Sequence, residues 1–556
     1  LLRGLAAAAL VLSLVVSPSP AALAQGLEVP IAAKHRTPEA LPAGDQLELS
    51  LQRTIELALK NALDLEVSAL SYERSLSGIT SAFGAFDPLL WADGSFSRSE
   101  SPVFSRFDAS KAEQQKLNLG LSGATDWGLA YQVGVTNTRR DSEVVGFTLI
   151  NPSLSSNLTF GVTQPLLRNF GKDVNRRLIV QARMGRDLAA WDFSQSVQNA
   201  VVTVENAYWD LVNALGNLKA KKEALDRAKD FNRITKIKID VGALAPIDIV
   251  QTEVSIALRE QEIIVAEGLI GDAHDRLKRI LNVTNSAEWN RRIVPTDAPS
   301  AVPISVDIDK AIDQALSLRP EVKQQVLDIE SKKLTLVYNR NQLKPRLDFT
   351  GSYGLGGVGA TAALTECSIP GVSAAECTAA GGTVTTTNID YVDALYQIRD
   401  RDYPSWSVGL VFSVPLGNRI AKGNAALAAT DLELARTSLA LLRQNVAVEV
   451  RSAARSLDTS YKTVVAARKS RELAERNLEA EQKKFENGMT TSFQVAQIQN
   501  DLTLAQSSEI LALSSYLKAV TAWHKATGDI LSVKGIELKE LPVTMGPTPA
   551  EEGAVR

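Results

Sequence analysis

The sequence predicts an internally duplicated fold of mixed α and transmembrane β structure. Three observations point there: the chain repeats itself at a long shift, two proline-free stretches can carry very long helices, and several segments alternate apolar with small polar residues. The chain has 556 residues, 45% of them apolar and 22% charged, with a formal net charge of −3. That length permits roughly two to four domains. A near-neutral balance argues against nucleic acid as a partner, because phosphate binding calls for an excess of Lys and Arg. Three His and two Cys leave little to build a transition-metal site from. No metal and no cofactor are expected.

The duplication is the first element to justify. At an ungapped shift of 257, Ile55, Ala58, Leu59, Leu70, Glu73, Pro88, Leu90, Gly94 and Ser95 fall on Ile312, Ala315, Leu316, Leu327, Glu330, Pro345, Leu347, Gly351 and Ser352. At slightly smaller shifts Pro165-Leu166 matches Pro415-Leu416, and Gly242 and Gln251 match Gly488 and Gln497. Each copy reads helix, extended segments, very long helix, turn, helix. The first repeat is expected over 48–295 and the second over 296–541, with a loop insertion at 357–403. Residues 1–24 carry Arg3, an apolar run from Leu5 to Val16 and the Ala22-Leu23-Ala24 cleavage pattern, so they read as an export signal. Segments 25–47 and 542–556 are expected to be disordered.

Proline marks the long helices, because it costs about 3 kcal/mol inside one. None occurs from Leu166 to Ala245 or from Leu416 to Leu541. Val204, Tyr208, Leu211, Leu215 and Leu218 follow the spacing of a coiled-coil seam, as do Val446, Val450, Ala453 and Leu457. A soluble bundle would use the same stripe, but a helix from about 173 to 240 would run on the order of 100 Å, against a globular mean of ~11 to 12 residues. Single helices over about 49–83 and 247–282, and over about 306–340 and 491–529, would flank the two long ones. One chain then supplies four parallel rods.

The extended segments match strands of a membrane barrel, and by patterning alone equally well half of a soluble sandwich. Trp406, Val408, Leu410, Phe412 and Val414 alternate with Ser407, Gly409, Val411 and Ser413. Leu158, Phe160 and Val162 alternate with Thr159, Gly161 and Thr163, and Leu347, Phe349, Tyr353 and Leu355 with Asp348, Thr350, Ser352 and Gly354. The repeat partner of the last segment covers Leu90 to Phe96. Period two over about 9 to 11 residues is what a tilted strand needs between lipid and water. Four strands per protomer cannot close a barrel, since the smallest single-chain examples use eight and an open edge in lipid leaves backbone groups unpaired. Two copies would give eight strands and three would give twelve; side chains typically fill an eight-stranded interior, so a conducting pore favours the larger number. A further alternating stretch from Leu117 to Thr136, with a turn near Asp126-Trp127-Gly128, reads as a hairpin that either extends that barrel or caps it.

Tyr208-Trp209-Asp210-Leu211, the turn Val241-Gly242-Ala243-Leu244-Ala245-Pro246-Ile247-Asp248-Ile249 and its second copy Asn487-Gly488-Met489-Thr490-Thr491-Ser492-Phe493 now join the duplicated plan. On these residues the chain resembles the TolC-like outer-membrane factor family over nearly all of its mature length. The resemblance implies a homotrimer in the outer membrane of a Gram-negative bacterium, in contact with outer-membrane lipid, with a twelve-stranded barrel and a long periplasmic α-helical tunnel. It implies docking to a periplasmic adaptor protein and, through it, to an inner-membrane transporter. The chain would then be a passive export duct of a tripartite efflux or type I secretion system, and not an enzyme.

The two turns are the sites this resemblance selects. Gly242 and Gly488 each end a helix, where a left-handed cap favours glycine. The resemblance adds that Val241, Gly242, Ala243, Asn487, Gly488 and Met489 form the tip that meets the adaptor. It also makes Asp248 a member of a periplasmic gate, with Thr490 where the family carries a basic partner and Phe485 where it carries an aromatic hydroxyl. Gln494 and Gln497 stand where well-known members carry carboxylates, and neutral amides bind cations weakly. Cys367 and Cys377 enclose nine residues within the insertion and are expected to form a disulfide in an oxidising compartment. The family topology places that loop outside the cell.

Other signals carry no chemistry. Gly354, Gly356 and Gly359 fit a dinucleotide fingerprint, but the stretch from Thr361 to Pro370 does not read as the helix it requires. His35, His274 and His524 lack a nucleophile or carboxylate at meaningful spacing, so no catalytic residue is nominated. The alternative reading is structural, a trimeric coiled-coil adhesin or stalk with a barrel anchor. It would place its barrel segment once, at the C-terminus, whereas here strands interrupt the helices twice. The exported substrate is not written in the sequence.

Overall fold

The computed structural model describes residues 27–30, 41, 46–102, 104, 109–144, 152–360, 363–370, 374–388 and 390–539. Residues 1–24, read as an export signal, and the tail 542–556 lie outside the described residues. Strands β1 (Leu27–Pro30) and β2 (Gln46–Leu49) lead into the first repeat. It comprises α1 (Leu51–Asn61), α2 (Leu63–Phe83), β3 (Leu89–Glu100), β4 (Ala109–Ala124), β5 (Ala130–Val144), β6 (Ser153–Pro165), α3 (Lys172–Asn175), α4 (Arg177–Asp240), α5 (Ile247–Ile280), α6 (Ser286–Trp289) and β7 (Arg292–Pro295). The second comprises α7 (Ile308–Leu318), α8 (Pro320–Asn341), β8 (Arg346–Ala360), β9 (Ala363–Cys367), α9 (Ala374–Cys377), β10 (Val384–Asn388), α10 (Tyr391–Asp400) and β11 (Tyr403–Ser413). It continues through α11 (Arg419–Glu486), α12 (Ser492–Thr527), α13 (Ile530–Val533) and β12 (Ile536–Lys539).

The long helices α4 and α11 have 64 and 68 residues, about 96 and 102 Å at 1.5 Å per residue. Their apolar stripes are spent on neighbouring rods. Phe193, Val197, Val201, Val204 and Leu211 of α4 pack with Leu57, Leu65 and Ala69 of α1 and α2 and with Leu277 of α5. Val446, Val450, Leu457 and Val464 of α11 pack with Tyr516, Ala519 and Trp523 of α12 and with Ala311 and Ala315 of α7. Toward the sheet α4 and α11 lie beside α2 and α8, and toward the other end beside α5 and α12. Where the sequence suggests one helix over 49–83 and one over 306–340, the structure has two in each place. The break at Arg319 has a local cause: a residue before proline is pushed out of the α region, and Arg319 has ψ 129° ahead of Pro320. Ala62 breaks the first pair with ψ 122° and has no proline after it.

Short parallel pairings gather the chain midway along the rods. β1 lies beside β12 and β2 beside β7, so part of the segment expected to be disordered is drawn into strands. The Tyr208 hydroxyl donates to Asp297 Oδ2 at 2.7 Å, and Leu51 N donates to the same oxygen at 2.6 Å. Burial, and then the neighbouring Asp297 carboxylate, push the Tyr208 phenol above its usual range.

Four strands per protomer were expected, and the structure corrects the sheet to six. They form one antiparallel sheet in the order β11-β8-β6-β5-β4-β3. The added pair is the 117–136 hairpin, lengthened at both ends and inserted between β3 and β6 of the first repeat. The registers put Leu90, Leu121, Val133, Phe160, Tyr353 and Trp406 in one row on one face. The next row on that face holds Ala92, Leu119, Val135, Leu158, Leu355 and Pro404. Between them on the opposite face runs a row of Trp91, Gly120, Gly134, Thr159, Gly354 and Ser405. Helix α10 packs on β8 and β6, over the upper part of the apolar face. Gly357 and Gly359 make its approach possible, since a Cβ at either would collide with the backbone of Ala394 or Asp390.

Candidate functional site

At the end of the rods away from the sheet, two helical hairpins turn in the same way. Gly242 has φ +74° and Gly488 φ +73°, conformations that side-chain-bearing residues adopt only with strain. At the first turn Gly242 N donates to Ile239 O at 2.9 Å and Ala243 N to Lys238 O at 2.7 Å. At the second, Gly488 N donates to Phe485 O at 3.1 Å and Met489 N to Lys484 O at 2.9 Å. Both are Schellman closures, so the internal repeat extends to individual hydrogen bonds. Val241 and Met489 project from them 72% and 76% exposed. An apolar side chain held out at a rigid turn can be covered by another protein.

The other nominated residues divide by environment. Asp248, in the first turn of α5, accepts a hydrogen bond from the buried Ser492 hydroxyl, which also reaches Gln251 Oε1 at 3.3 Å. This links α5 to α12 within one chain. Thr490 hydrogen-bonds the Glu481 side chain, and that contact, followed by Lys484, holds the Glu481 carboxyl below the usual range. Phe485 is buried with its ring centroid 5.0 Å from that of Phe231, among Leu478, Val495, Ile498 and Leu502. Gln494 and Gln497 are exposed on α12, and Gln497 Nε2 donates to Asp501 Oδ1 at 3.3 Å. Gln497 also lines a groove with Val250, Val254, Leu258 and Phe493.

Sequence reasoning passed over Lys238 and Ser492. Lys238 Nζ donates to Phe485 O at 2.7 Å and Glu486 O at 3.0 Å, placing a cation on the C-terminal carbonyls of α11. Its signal was a basic residue in the last turn of α4. Ser492 follows Thr491, whose side chain accepts from Gln494 N and caps α12. Cys377 is buried and disulfide-bonded. No described helix is long and apolar enough to cross a membrane, and no described cluster of His, Cys, Asp or Glu is arranged to hold a metal ion.

The family model described as outer membrane efflux protein matches residues 54–283 and 311–529, the two repeats in turn. The chain belongs to that family. This efflux protein is similar in structure to the CmeC outer membrane channel of Campylobacter jejuni, at 16% identity and TM-score 0.61, covering 89% of this chain and 90% of that one. It is similar to VceC of Vibrio cholerae at 14% identity and TM-score 0.60, covering 86% of this chain and 96% of that one. It is also similar to the open-state MtrE channel of Neisseria gonorrhoeae at 14% identity and TM-score 0.56, covering 86% and 89%. At such identities the likeness speaks for the fold. A search of the curated proteins finds no match. The efflux protein is thus an outer-membrane protein by its family, with the fold of those channels.

Proposed function

We propose that three copies of this efflux protein form a passive export duct, which docks through its tip turns onto a periplasmic adaptor and so onto an inner-membrane transporter. Drugs, metals or proteins would pass through it, in a tripartite efflux or type I secretion system. The observation that carries this reading is the pair of equivalent Schellman turns, each with an exposed apolar residue, at the far end of rods about 100 Å long from a sheet with one apolar face. The six-stranded sheet supports assembly, because an open edge in hydrocarbon strands its backbone donors and acceptors. Asp248, Thr490, Phe485, Gln494 and Gln497 belong to the gate in this reading, with Asp248 and Ser492 holding α5 to α12.

The test replaces both turn glycines. Gly242→Arg and Gly488→Arg together combine backbone strain of about 1–2 kcal/mol per site with a bulky cation where the adaptor would seat. Export should fail while assembled protein stays in the outer membrane. Export at the normal rate from that double variant rules out the tip as the docking point.

A further inference from the structure

We infer that the β4–β5 hairpin is part of the membrane wall and that three copies close an eighteen-stranded barrel, each joining its β3 edge to the β11 edge of the next. This rests on the three-copy assembly proposed above and changes the wall that assembly builds.

The alternation continues through the hairpin from Leu117 to Leu121 and from Tyr131 to Val135. Leu117, Leu119 and Leu121 share the apolar face with Val133 and Val135, while Lys116, Asn118, Thr136 and Thr138 share the other. On the polar face Trp91 lies over Gly120, where a Cβ would come 2.5 Å from the indole, and Asn118 Nδ2 donates to Asp93 Oδ2 at 2.8 Å. A hairpin folded over the mouth as a cap would need no purely apolar row matched to those of its neighbours.

The apolar band also drifts steadily across the sheet. On β3 it covers Leu90 to Phe96 and on β4 Leu117 to Leu121; on β5 it covers Tyr131 to Val135 and on β6 Leu158 to Val162. On β8 it covers Leu347 to Leu355 and on β11 Trp406 to Phe412. Followed along the register, its centre moves by about six residues over five strand steps, roughly 20 Å along the strands against 24 Å across them. That slope is a tilt of about 40°, within the range of membrane barrels. β4 and β5 fall on the same line as the other four strands, so one slab of hydrocarbon fits all six.

The end of the hairpin agrees. Its turn lies on the helical side, where Arg176 Nε donates to Asp126 Oδ2 at 2.7 Å and Gly171 N to Trp127 O at 3.3 Å. β4 and β5 therefore run from the mouth of the tunnel outward, as their neighbours do. Among the described residues no strand lies beyond β3 or beyond β11. With six strands all paired antiparallel, β3 of one copy and β11 of the next also meet antiparallel, with 12 and 11 residues. The occupant of each edge is a second copy of this chain. At a 40° tilt, eighteen strands close at a radius of about 18 Å, against about 12 Å for twelve, which puts the wall in the class that leaves an aqueous channel.

The test uses the full-length protein in phospholipid vesicles, with single substitutions Leu119→Cys, Val135→Cys, Asn118→Cys and Thr136→Cys and a water-soluble maleimide. Labelling should be retained at 118 and 136 and lost at 119 and 135. Equal labelling at all four positions overturns the inference and leaves the three-copy reading untouched. Light scattering of the detergent-purified protein tests that reading separately: a mass other than three copies overturns it, and the count of eighteen with it. Oxidising Ser95→Cys combined with Ser405→Cys, Ser407→Cys or Gly409→Cys should give a covalent ladder ending at three chains. No ladder from any pair overturns the β3–β11 seam.

Discussion

His274 is a single side chain whose setting has a measurable consequence. It sits on α5 with its Nδ1 accepting from Ile293 N at 3.4 Å. Burial, then the nearby Lys278 and Arg292, hold its imidazole below the usual value of about 6.5. As pH falls, the unfolded chain takes up this proton before the folded one does. The group's contribution is therefore intact above about pH 6.5 and is lost progressively below it. We expect His274→Asn to lose less melting temperature than the unaltered protein when both are scanned from about pH 7.5 to about pH 5.5. Equal losses would mean that His274 carries none of the acid sensitivity. Single residues also mark a limit of sequence reasoning. Phe485, proposed above as a gate residue, packs on Phe231, and the spacing that places it near a turn does not say which helix face meets the core.

Trp91, Gly120 and Gly134 form a unit within the sheet, with the indole covering two backbones that have no side chains of their own. Gly120→Ala forces the ring off its seat and should destabilise the wall by about 1–3 kcal/mol. The double variant Gly120→Ala with Trp91→Leu should cost less than the two single changes added together. Thermal dissociation of the assembled protein on a gel reads both, and strict additivity would deny the contact. Most elements were legible because each rests on a local pattern: α11 begins and ends within the proline-free stretch, and β11 follows its alternation from Trp406 to Phe412. The place of the hairpin was not legible. Period two is the same in a wall and in a cap, and only the register with β3 and β6 distinguishes them. The break at Ala62 was hidden for the opposite reason, since no proline or glycine stands at that point.

Taken whole, the molecule joins a sheet at one end to two rigid turns at the other. Gln494 and Gln497 are uncharged and exposed beside the turns. Block of single channels by multivalent cations should therefore be weak and nearly independent of pH. Replacing both by Glu should strengthen it and make it fade as the carboxylates protonate below about pH 4–5. Strong block of the unaltered channel would contradict this reading of Gln494 and Gln497. The widened sheet also bears on how wall and tunnel fit. Each chain sends four rods toward its sheet, α2, α4, α8 and α11, so three chains set twelve side by side. At 8–10 Å between axes they need a circumference of about 100–120 Å. Twelve tilted strands would span only about 75 Å, whereas eighteen span about 110 Å. The extra hairpin thus lets the two cylinders meet rim to rim, and cargo leaving the helices meets no narrowing shoulder.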